Sequence, residues 1–115
     1  MTDYDKIYSP EGNEDLVTFV HRVIDMQPDR EPLRIVEPLV KIAVGELKGR
    51  PCQFSVATSS QRMKVTLRHK GAPFDERMIE VMGNHTDRVD YYPDGGDFWQ
   101  LVIRRDIPPL FVAER

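Results

Sequence analysis

Residues Arg62–Asp75 read RMKVTLRHKGAPFD. Met63, Val65, Leu67 and His69 alternate with Arg62, Lys64, Thr66 and Arg68, a period of two that predicts a strand with one buried face. The run then meets Gly71, Pro73 and Phe74, which end the strand, and Asp75 is placed to cap a following helix. Before it, Gln53–Thr58 carries Phe54 and Val56 on one side, and Ser59-Ser60-Gln61 forms a turn. The two strands read as a hairpin.

Working outward, Leu39, Val40, Ile42, Ala43 and Leu47 make an apolar helical stripe that Gly49 ends as a C′ residue. Glu46 lies four positions after Ile42 and borders that stripe. Pro38 either sits in the first turn of this helix or kinks a longer one beginning at Leu33. Leu16, Phe19, Val20, Val23 and Ile24 predict an earlier amphipathic helix over Asn13–Met26, with Asn13 as its cap. A short strand over Asp3–Ser9, anchored by Ile7, precedes it. Downstream, Asp75–Met82 reads as a helix with Met78, Ile79 and Met82 inward. Val89 and Tyr91 mark a strand, Pro93-Asp94-Gly95-Gly96 a turn, and Phe98–Ile103 the returning strand. Pro108-Pro109 stops it and leaves the apolar tail Leu110, Phe111 and Val112.

The order β-α-α-β-β-α-β-β predicts an α+β two-layer sandwich. Its sheet is expected to be mainly antiparallel and mixed, with about three helices on one face. The 115 residues suit a single domain with no internal linker or repeat. A net charge of −3 argues against a general nucleic-acid binder. No apolar run approaches the ~20 residues of a membrane span. The acidic N-terminal stretch does not read as a signal peptide, and lone Cys52 suits a reducing, cytoplasmic setting.

Helix, two strands and the turn Gly71-Ala72-Pro73-Phe74-Asp75 together resemble the histidine-kinase-like (GHKL) ATPases, and most closely their anti-sigma serine-kinase branch. In that family a helix carries an acidic residue that activates water, and Glu46 falls at its position. The resemblance also implies an asparagine that holds magnesium just beyond it, where this chain has Gly49-Arg50. An aspartate that reads adenine belongs where His69 stands, while Gly71, Pro73, Phe74 and Asp75 match. The family's glycine-rich phosphate lid is reduced to Met82-Gly83-Asn84-His85-Thr86-Asp87. What the resemblance implies is therefore a vestigial nucleotide site at His69, Gly71, Asp75 and Arg50. The chain would be a non-catalytic regulatory protein-binding module that needs no cofactor. The alternative is an ATP- and magnesium-dependent protein serine kinase with Glu46 as its catalytic residue. Partners implied are a sigma factor or its antagonist, in a homodimer or heteromer.

Each candidate also has a bland reading. Glu46 suits a helix-edge carboxylate paired with a basic residue, and His69 a polar residue at a strand end. His21, His85 and Cys52 lack metal-ligand spacing. Arg62, Lys64, Arg68 and Lys70 form a basic stripe with no aromatic residue interleaved, which disfavours nucleic acid. That stripe is either a solvated sheet face or a docking face for an acidic protein. Leu110–Val112 packs back on the domain, extends a sheet edge or meets a second subunit.

Overall fold

The computed structural model describes residues 6–27, 30–58 and 62–106. Five strands form one sheet: β1 (Lys6–Tyr8), β2 (Cys52–Thr58), β3 (Arg62–Lys70), β4 (Arg88–Pro93) and β5 (Phe98–Asp106). Their spatial order is β1-β2-β3-β5-β4, and every pairing is antiparallel. The expected mixed component is thus absent among the described residues. Three helices, α1 (Leu16–Asp25), α2 (Arg30–Leu47) and α3 (Glu76–Gly83), share one core with the sheet. The protein is a compact α+β domain.

The alternation in β3 is obeyed residue by residue. Met63, Val65, Leu67 and His69 are buried, while Arg62 is exposed and Lys64, Thr66 and Arg68 are half-buried on the other side. Register carries this pattern across the sheet: Phe54 pairs with Leu67, and Leu67 with Leu101. A one-residue slip would turn the whole apolar row to water. Phe19 of α1 meets Phe54 edge-on, with ring centroids 6.1 Å apart. Burying such a side chain contributes about 1.5–3 kcal/mol.

The helices depart from the sequence reading at three places. Asp15, not Asn13, caps α1, its carboxylate accepting the Thr18 N–H at 3.2 Å. Residues 11–14 are instead folded into a turn, in which Glu14 binds the Glu11 N–H and the Arg22 guanidinium. Helix α2 runs unbroken through Pro38. Leu33, Val36, Leu39 and Val40 are buried on both sides of the proline, and Pro38 itself is exposed, where water can serve the carbonyl left without an intrahelical partner. Ile42 is 54% exposed, its expected core place being taken by Val36 and Val44.

At the sheet edge, Tyr8 faces the core side, and Ile7, the expected anchor, is 64% exposed. Only three residues of β1 pair with β2, and β4 carries Arg88, Asp90 and Pro93, so both edges resist further pairing. The tail residues Leu110, Phe111 and Val112 lie outside the described residues.

Candidate functional site

The turn after β3 is built around Gly71, whose φ of +97° favours glycine. Its N–H donates to the Asp97 carbonyl at 3.0 Å, tying the turn to the β4–β5 hairpin. Asp75 then accepts the Arg77 N–H at 2.9 Å and starts α3. Against this turn lies the end of α2, where Lys48 and Gly49 take positive φ and reverse the chain.

That reversal aims Arg50 at the turn. Its Nε donates to the Leu47 carbonyl at 3.1 Å, and its Nη1 donates to the Lys70 and Ala72 carbonyls at 3.1 and 3.2 Å. The guanidinium lies so close over Gly71 that a Cβ there would be 2.5 Å from Nη1. Carbonyl oxygens are thus the partners that hold Arg50 over the turn.

His69 is fully buried at the end of β3. Its Nδ1 faces the Lys70 carbonyl at 3.3 Å, so that nitrogen carries the hydrogen. Its Nε2 then accepts the Tyr91 hydroxyl at 2.8 Å, and the Tyr91 oxygen accepts the Phe74 N–H at 2.8 Å. Tyr91 stacks on His69, Phe74 and Trp99 around this chain of bonds, and His69 packs tilted against Phe74. Burial lowers the His69 pKa below its ordinary value, the Lys70 carbonyl opposes this, and the Arg50 charge lowers it further. Burial likewise raises the Tyr91 pKa. Neutral His69 is therefore a packed structural group whose two nitrogens are both engaged.

Glu46 is exposed on α2 and borders neither this network nor the cleft beside the end of α2. The cleft, of about 820 Å³, opens between the start of α1, the end of α2 and the start of β2, and is bordered by Asp15, Lys48, Arg50, Cys52, Arg68 and Phe98. Of the candidate nucleotide residues, it touches Arg50 alone; His69, Gly71 and Asp75 lie elsewhere. The Cys52 thiol in its wall is pushed up to about 11 by burial and is unreactive at neutral pH. The Arg50 guanidinium thus occupies the space directly over the Gly71 turn.

On the open sheet face, Arg62 reaches Asp106 at 3.5 Å and Lys64 borders a shallow groove. Arg68 binds Asp94 at 2.8 Å and lies 3.8 Å over the Phe98 ring. Pairing of Lys70 with Phe98 thus brings an aromatic to the basic stripe, which the β3 sequence alone lacks. A second cluster that sequence reasoning missed joins α1 to α2. The Glu37 carboxylate, 6% exposed, meets His21 at 2.9 Å, Lys41 at 2.9 Å and Arg34 at 3.0 Å. Asp25 adds contacts to His21 and Arg34. Basic residues spaced around Glu37 on α2 were the available signal; the α1 contribution was not legible.

Among the described residues, no group of three His, Cys, Asp or Glu side chains is placed to hold a metal ion. Nor is any described helix long and apolar enough to cross a membrane. No protein-family model and no curated protein matches the chain.

Proposed function

We propose that the chain is a non-catalytic regulatory module of the anti-sigma-factor-like type, which binds a protein partner and keeps only a vestigial nucleotide site. The observation that carries this reading is the Arg50 guanidinium held across Gly71 by the Lys70 and Ala72 carbonyls. The turn resembling a nucleotide-binding loop is filled by the chain's own side chain, and His69 has no free nitrogen for a base. Binding a partner through surfaces remains open to such a domain. The open sheet face with Arg62, Lys64 and Arg68 supplies one. A sigma factor or its antagonist is the partner that the resemblance suggests, in a cytoplasmic complex or homodimer, with the Leu110–Val112 segment as a further contact.

Isothermal titration with ATP and ADP, with and without magnesium, tests the reading. The expected result is no saturable heat. Saturable micromolar binding would replace it with an ATP-binding serine kinase that uses exposed Glu46 and draws its missing groups from a partner.

A further inference from the structure

The cleft beside α2 and the shallow groove on the open sheet face meet, because Gln53 and Arg68 border both. Charge is lopsided around that junction. Lys48 and Lys70 are exposed and form no ion pair among the described residues. Among the described residues, the hydrogen-bond partners of Arg50 are carbonyl oxygens. Acidic residues in the cleft wall are committed elsewhere: Glu14 to Arg22, and Asp15 to capping α1. Lys48 and Arg50 border the cleft and Lys70 lies 6.0 Å from the ring of Phe98 in its wall, which gathers positive side chains here on a chain whose net charge is −3.

Deepening the protein-binding reading and resting on it, we propose that this junction takes an extended acidic peptide segment of the partner protein. Lys48, Arg50 and Lys70 would supply attraction for its carboxylates. Gln53, Thr66 and Gln100 in the groove offer amide and hydroxyl groups that can pair with an extended backbone. Ile7, exposed at the far side of the groove, gives an apolar contact for one side chain of the segment. Single-stranded nucleic acid fits less well. Phe98 borders the cleft with the Arg68 guanidinium already over its ring, and Phe54 of the groove is fully buried, so neither offers a free stacking face.

Fluorescence anisotropy of a fluorescein-labelled decapeptide of interleaved glutamate and leucine, titrated with the full chain, tests this. Saturable binding is expected, weakening by about tenfold or more as salt rises from ~50 to ~500 mM. Lys48→Glu and Lys70→Glu should each weaken it several-fold. Arg77→Glu, an equal charge change on exposed α3, should leave it nearly unchanged. Absence of saturable binding, equal weakening by Arg77→Glu, or tighter binding of a labelled decathymidylate would each overturn the proposal. An ATP isotherm that saturates would instead overturn the vestigial-site reading, and would leave a positive peptide result standing.

Discussion

The Tyr91 hydroxyl stands between His69 and the backbone of Phe74, giving its hydrogen to Nε2 of His69 at 2.8 Å and accepting the Phe74 N–H at the same distance. One side chain on β4 thereby holds the end of β3 and the turn that leads into α3. Removing that oxygen strands two partners in a buried setting, where an unpaired polar group costs about 1–3 kcal/mol. Tyr91→Phe should lower stability by about that amount, read from the midpoint of chemical denaturation with an unchanged slope. A change near zero would mean that His69 and Phe74 find other partners.

His69 makes stability depend on pH. Its folded pKa lies below the ordinary 6.5, chiefly through burial. The unfolded chain therefore takes up the proton first, and the stabilisation, fully present above 6.5, is lost as pH falls from there through the lower folded value. Denaturation midpoints measured at intervals from pH 8 to pH 5 should decline over the lower part of that range. His69→Gln should flatten the decline, and an equally steep decline in the variant would assign it to another group.

A separate acid transition belongs to Glu37. Burial pushes its carboxyl pKa up, but hydrogen bonds from His21, Lys41 and Arg34 overcome this and hold it at about 2, against an ordinary 4.5. Its contribution is complete above 4.5 and disappears as pH drops from there toward 2. Glu37→Gln should cost about 1–3 kcal/mol at neutral pH, since it removes the charge of a buried carboxylate that three partly exposed basic side chains surround. The loss should shrink markedly at pH 3. A cost independent of pH would point to packing alone.

Gly71→Ala tests the closed turn. The displaced group would be the far end of Arg50, which can swing away, so the positive φ carries most of the cost. A destabilisation of about 1–2 kcal/mol is expected. In a double-mutant cycle, Arg50→Ala should relieve only a small part of it. Full relief would show that the contact, and not the backbone, is limiting.

Val65→Ala probes the register at the centre of the sheet. Val65 is 1% exposed and pairs with Val56 and Ile103. Lost burial plus the cavity should cost about 1–3 kcal/mol. Thr66→Ala, one residue along on the open face, should cost distinctly less, and equal costs would contradict the assigned register.

Periodicity by itself determined the three helices, the buried face of β3 and the antiparallel two-layer class, because side-chain direction along a strand or helix is a local property. Where two faces competed for the same residues, the local pattern was insufficient. Ile42 and Ile7 are as apolar as their buried neighbours, and only the position of the sheet turns them outward. Pro38 reads either as a first-turn residue or as a kink in a longer helix, and tertiary burial on both sides decides for the longer one, carrying α2 through it. The candidate site was legible as a list of residues, not as an arrangement. His69 and Tyr91 come together because β5 lies between β3 and β4 in the sheet, and Arg50 reaches Gly71 because α2 ends against the turn. Such meetings depend on which apolar faces find each other across long separations, a choice made by burial over the whole chain and written in no single segment of it.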